Sequence, residues 1–178
     1  MFMRLLSLLA LLLVTPFTIA VAVAEEVYQA PDVFVREAFA GTPPEPSQLW
    51  ITGALRDQAS VILGHPPETL RTRYWRKDQR TAWILEEIGK EEPITVGLVV
   101  QDGQLETIKV LVYRESRGWE VRHDFFTRQF WQARLRNQND LDRNIDGIAG
   151  ATLSVNAMRK VARLALLYHR HVTTDGTP

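Results

Sequence analysis

The chain contains no cysteine, which excludes disulfides, a cysteine-linked lipid anchor, covalently attached haem and cysteine-ligated iron–sulfur clusters. Nor is there an excess of charge of either sign, since 21 Lys and Arg balance 21 Asp and Glu over 178 residues. Basic residues crowd between Arg71 and Arg80 and again between Arg114 and Arg136. Acids interleave with the second group, and both runs read as solvated faces. Nothing here points to a nucleic-acid partner. The four histidines, His65, His123, His169 and His171, are too scattered for a zinc or haem site, and the last two are expected at the surface near a helix end. No Gly-x-Gly-x-x-Gly follows a strand, so no nicotinamide site is indicated, and there is no Gly-x-Ser-x-Gly elbow for hydrolysis. Asp140, Asp142 and Asp146 lack the spacing of a calcium-binding hand. Any redox role must use a cofactor held by other residue types.

The longest apolar run lies at the start. Arg4 precedes Leu5 to Val14, the run continues through Pro16 to Ala20, and Ala22-Val23-Ala24 supplies a small-residue cleavage signal. Residues 1–24 therefore read as a signal peptide, with the mature chain beginning near Glu25 and exported to the periplasm. An uncleaved membrane anchor is the alternative, and the run is short for a span. Cleavage would remove Arg4 alone among the charged residues and leave a mature charge of −1. The remaining length suits one domain.

Residues 25–46 hold Pro31, Pro43, Pro44 and Pro46 and read as an extended lead-in, with one weak helical turn around Val33 to Phe39. From Ser47, the residues Leu49, Ile51, Leu55, Ala59 and Ile62 fall near helical spacing, and Gly64 with Pro66 and Pro67 ends the pattern. Arg71 to Arg76 and Thr81 to Ile88 read as strands. Ile94 to Gln101 and Gln104 to Tyr113 form the clearest hairpin, because Asp102-Gly103 favours the positive φ angles of a type I′ turn and its flanks are β-branched. A polar turn, Arg114 to Glu120, follows, then a short helix over Phe125 to Leu135 and a polar loop from Asn137 to Asn144. Ser154 to Tyr168 makes an amphipathic helix, with Val155, Met158, Val161, Ala162 and Ala165 in one stripe. The fold class is α+β, an antiparallel sheet flanked by helices, with a single domain over residues 47–178.

The chemistry concentrates in Asp146-Gly147-Ile148-Ala149-Gly150-Ala151-Thr152-Leu153-Ser154, immediately before and into that last helix. A helix start exposes unpaired N–H groups and the positive end of the backbone dipole, where phosphates settle. Gly150 and Ala151 let a ligand approach the main chain, and Thr152 and Ser154 each offer a hydroxyl. The plainer reading of either hydroxyl is an N-cap contributing about 1 kcal/mol.

The wider pattern resembles the FMN-binding domain of the covalently flavinylated subunits of sodium-translocating NADH:quinone reductase and related complexes, and of stand-alone exported proteins. The family motif is close to Asp-x-x-(Ser/Thr/Ala)-Gly-Ala-(Thr/Ser), which residues 146–152 fit position by position. The family's Glu-x-x-Gly turn is similar to Glu115-Ser116-Arg117-Gly118, and its Phe-x-x-Gln-Phe segment to Phe126-Thr127-Arg128-Gln129-Phe130. The resemblance covers about residues 80–168. Ala149 departs from the Ser or Thr common in the family and removes one possible phosphate hydrogen bond, and Leu153 and Ser154 depart mildly.

The resemblance implies FMN as cofactor, attached at the start of the C-terminal helix by a phosphoester to Thr152. It also implies a flavin transferase that loads FMN after export, with FAD as donor and a metal ion. Gly150, Ala151, Leu153 and Ser154 would surround the phosphate. Trp119 would stack on or shield the ring, or else pack as a core aromatic. Glu115 would accept hydrogen bonds from the flavin, or else stay a solvated turn carboxylate, and Arg117 would stabilise a reduced, anionic ring. Asp146 would serve the loading step by positioning the metal or accepting the threonine proton, and would brace its own turn. The functional expectation is a covalent electron carrier served by a membrane redox partner. The alternative is a noncovalent FMN-binding domain, or a flavin-free docking or assembly module.

Overall fold

The computed structural model describes residues 25–137 and 139–174, so the expected signal peptide at residues 1–24 lies outside the described residues. The chain runs β1 (Glu26–Val27), α1 (Pro31–Ala38), β2 (Ser47–Trp50), α2 (Gly53–Leu63), β3 (Arg71–Lys77), β4 (Arg80–Ile88), β5 (Pro93–Gln101) and β6 (Gln104–Tyr113). After a 3-10 turn at Trp119–Arg122 come α3 (Asp124–Thr127), a second 3-10 turn at Arg128–Phe130, β7 (Leu135–Arg136), β8 (Asp140–Leu141) and α4 (Thr152–Thr174). Strands β1 to β6 form one antiparallel sheet in the order β1-β6-β5-β4-β3-β2. The α+β class follows, as the alternation of apolar and turn residues predicts.

Asp102 and Gly103 have φ of 52° and 73°, the positive pair that a type I′ turn demands, and they close the β5–β6 hairpin at the expected residues. Strand β5 is apolar almost throughout because both of its faces are covered. Ile94, Val96, Leu98 and Val100 join the main core, where α2 and α4 pack with Trp83 and Tyr168. Val99 belongs to a second cluster on the other face, with Ala82, Leu111 and the α1 residues Phe34 and Val35. Gly97 makes that second contact possible. A Cβ at this position would lie 2.7 Å from the Phe34 ring, so the helix sits directly on bare backbone.

Three local expectations are corrected. The lead-in is not merely extended: β1 pairs with the end of β6, and α1 is a two-turn helix with Pro31 at its first position. The helical pattern from Ser47 divides, and Leu49, with Trp50 on the opposite face, lies in β2 against β3. Leu49 and Ile51 are two apart, a strand period, and the helix starts only at Gly53. The segment from Phe125 to Leu135 is one helical turn followed by a 3-10 turn, and Gln132 at φ 60° ends it.

The last helix starts two residues earlier than predicted and runs on to Thr174. That extension buries His169, which the sequence places at the surface, to 3 % exposure. Its Nδ1–H donates to Thr81 Oγ1 at 2.9 Å, and its Nε2 accepts the Gly103 N–H at 3.2 Å. One neutral tautomer satisfies both contacts. Burial, then the Arg76 charge, push its pKa down to about 4, with Asp102 opposing.

Candidate functional site

Gly150 adopts φ 83°, a left-handed conformation that glycine takes without strain, and turns the chain into α4. The Ala151 N–H donates to the Ile148 carbonyl at 3.0 Å, and the Ala151 carbonyl accepts the first helical bond from Val155 at 2.9 Å. Ala151 therefore occupies the N-cap position, with no side-chain acceptor to offer, and Thr152 is the first helical residue. Among the described residues, no acceptor meets the N–H groups of Thr152, Leu153 and Ser154. The start of a 23-residue helix is thus left uncapped toward a cleft.

The two hydroxyls flagged in the sequence separate here. Thr152 is exposed, and its Oγ1 has no hydrogen-bond partner among the described residues. Ser154 is 5 % exposed, and its Oγ–H donates to Tyr113 Oη at 2.9 Å. Tyr113 in turn donates to the Arg117 carbonyl at 2.5 Å. Gly118, at φ 85°, packs on that pair, and a Cβ there would collide with Ser154 Oγ. The Glu-x-x-Gly turn and the helix start are therefore one packed unit. Ser154 locks them together and leaves Thr152 as the hydroxyl that faces the cleft.

The cleft facing Thr152 has a volume of about 560 Å³, within the usual range for small-molecule sites. One wall is Gly150 to Ser154, and the other carries Lys90, Glu91, Glu115, Ser116 and Arg117. A Cβ on Gly150 would meet nothing within 4 Å, so the backbone there borders open space. Leu153, 49 % exposed, gives the mouth an apolar edge. The Glu115 Oε1 accepts the N–H groups of Lys90, Glu91 at 2.6 Å and Glu92 at 3.0 Å. That oxygen is engaged in bracing the loop between β4 and β5.

Trp119 is 42 % exposed, so the structure places it at the surface rather than in the core. The Arg122 guanidinium lies 5.0 Å from the Trp119 ring centre, and the His123 ring lies edge-on at 5.3 Å. Asp146 is exposed, and its Oδ1 accepts the Asn144 amide at 3.1 Å. The Asp146 N–H donates to Gln129 Oε1 at 2.6 Å. Gln129 belongs to the Phe-x-x-Gln-Phe segment, whose Phe126 and Phe130 meet edge-to-face at 5.5 Å in the core. The three motifs read separately along the sequence are joined in space by Gln129, Gly118 and Ser154. Neither Gln129 nor Tyr113 had a role assigned from the sequence, and Tyr113 carries no local signal of one.

The residues present fit a flavin phosphate: three unpaired N–H groups at a helix start, a free hydroxyl, clear backbone at Gly150, and opposite them the cations Arg117 and Lys90, the latter paired with Glu91 at 2.7 Å. A larger cleft of about 740 Å³ lies elsewhere along α4, and its lining includes none of residues 146–154. We place the site at the smaller one because the unpaired donors are there. No curated protein and no solved structure matches the chain. The FMN-binding domain family matches residues 89–167, which span the β5–β6 hairpin, all three motifs and most of α4. Residues 89–167 are an FMN-binding domain, and FMN is the cofactor that this domain indicates.

Proposed function

We propose that the protein is an exported electron carrier that holds FMN covalently through a phosphoester at Thr152. The observation that carries this reading is the division of labour at the start of α4, where Ser154 is buried and bonded while the Thr152 hydroxyl is exposed and unpartnered. An N-cap role for Thr152 does not account for its placement, because Ala151 holds that position. In the loading reaction, Thr152 Oγ1 forms the new bond to phosphorus and gives up its proton. The FAD diphosphate bond breaks, and AMP leaves with the bridging oxygen. Asp146, near in sequence and exposed, is the carboxylate available to the transferase for the threonine proton or its metal ion.

Once bound, FMN supplies one- and two-electron transfer, which suits a relay between unlike partners. The protein's own residues would hold the phosphate on the Thr152, Leu153 and Ser154 N–H groups and border the cleft with Lys90 and Arg117. A covalent link suits the dilute space outside the cytoplasm, where a released flavin would be lost. A membrane redox partner and a flavin transferase complete this reading.

The test is intact-protein mass spectrometry on material exported alongside an active transferase. A mass gain equal to FMN minus one water, absent in Thr152→Ala, is the expected result. An unmodified mass, with the transferase active on another substrate, would overturn covalent attachment. The same helix-start N–H groups would then leave noncovalent FMN binding as the function.

A further inference from the structure

The cleft of about 740 Å³ between residues 136–145 and the first half of α4 takes no part in the site above. Arg136 and Arg143 line it from the loop side, and Arg159, Lys160 and Arg163 line it from α4, against the carboxylates of Asp140 and Asp142. The α4 cations, with Asn156, fall at i, i+3, i+4 and i+7, so they share one helix face. Two of the five cations have a close carboxylate: Arg143 bonds Asp142 at 3.1 Å, and Lys160 bonds Glu87 at 2.8 Å.

Of the other three, Arg159 and Arg163 are held chiefly by carbonyl oxygens, and the Arg136 side chain is not held at all among the described residues. Arg159 donates to the Ile145 carbonyl and to Asn156 Oδ1 at 3.2 Å. Arg163 donates to the carbonyls of Arg159 and Asn139 at 3.2 and 3.3 Å, and its nearest acid, Asp140, is 3.9 Å away and largely exposed. Arg136 meets no acceptor among the described residues. Carbonyls satisfy N–H groups and fix guanidinium planes, but they leave the charge uncompensated. Burial pushes the Arg163 guanidinium below its ordinary value, Asp140 opposes, and the Arg159 charge adds to the fall. Staples whose only task was to hold the loop would be complete with their carbonyls. Arg136, on the opposite wall, holds nothing among the described residues.

We propose that this cleft is a second anion site, one that takes a small ligand bearing a diphosphate. Guanidinia on two facing walls match two adjacent phosphates, one fork to each, and the volume leaves room beyond the phosphates themselves. The diphosphate arrives either free or as part of a larger molecule such as a nucleotide.

The experiment is an NMR titration of the whole mature chain with inorganic pyrophosphate, then with ADP, at constant ionic strength. Saturable shifts are expected in the amides of residues 139–145 and 156–163. The Kd should rise roughly fivefold to tenfold in Arg136→Gln and in Arg163→Gln. The Arg136 side chain has no partner among the described residues to lose, so Arg136→Gln keeps the fold even if Arg163→Gln does not. Tighter binding of ADP would assign the diphosphate to a nucleotide, and equal binding would assign it to the free anion. Absence of saturation by about 10 mM pyrophosphate would overturn the proposal. So would shifts confined to residues 150–154, or affinity unchanged in Arg136→Gln.

Discussion

A threonine and a serine two residues apart, at one helix start, have opposite fates in this protein. Ser154→Ala removes a buried hydrogen bond to Tyr113 and is expected to lower stability by about 1 kcal/mol while leaving flavin loading intact. Urea unfolding and intact mass, measured on the same sample, check both halves. Thr152→Ser should keep the flavin mass and Thr152→Ala should lose it. Asp146→Asn keeps its N–H on Gln129, so its circular dichroism should match the parent while loading by the transferase stops. Normal loading of that variant would remove Asp146 from the reaction. The motif itself was legible because its glycine, alanine and hydroxyl types each answer a local demand of a helix start that faces an anion. The choice of Thr152 over Ser154 came only from the resemblance, because the burial of Ser154 depends on Tyr113, 41 residues away.

Among the elements, the hairpin could be read from sequence because its turn chemistry and its β-branched flanks agree. The division between β2 and α2 could not, since Leu49 and Ile51 fit a helix face loosely and a strand face well, and only pairing with β3 decides between them. Helix α1 was understated for a related reason, because its anchor is the bare backbone of Gly97, a contact with no sequence signature. Gly97→Val should force Phe34 away and lower stability by about 1–3 kcal/mol by overpacking. Phe34→Ala should cost about 3–5 kcal/mol by opening a cavity. Denaturant midpoints measure both.

His169 ties α4 to the β5–β6 turn through a pairing that requires a neutral ring. Its folded pKa is about 4, against 6.5 in the unfolded chain, so the unfolded state binds the extra proton between those values. The stability is whole above about pH 6.5 and falls as pH drops toward 4, by at most about 3 kcal/mol. His65 runs the other way. Its pKa is raised, first by its bond to the Pro66 carbonyl and then by Glu87 against the opposing effect of burial, so its contribution is lost as pH rises, and its partly exposed ring makes that contribution small. Unfolding free energies at pH 7 and pH 4.5 should therefore differ less in His169→Gln than in the parent. An unchanged difference would move the acid sensitivity elsewhere.

At the scale of the whole molecule, the family match begins at residue 89, yet the sheet that carries the site does not. Strand β4 pairs with β5 along its length, α2 packs on α4, and α1 covers the far side of the hairpin. A chain cut to residues 89–167 keeps most of α4 on one face of β5 but exposes the face that α1 covers and the edge that β4 pairs, and it should fail to unfold cooperatively, whereas the whole chain should give a single transition by circular dichroism. The pairing of Glu26 with Tyr113 also has a kinetic meaning. Strand β1 is made first but stays without a partner until β6 has followed, and the main apolar face remains open until α4 arrives. Contacts so far apart in sequence close slowly. A chain wired in this way stays loose for most of its synthesis, the state that the proposed export would require, and it sets its threonine in place only at the end.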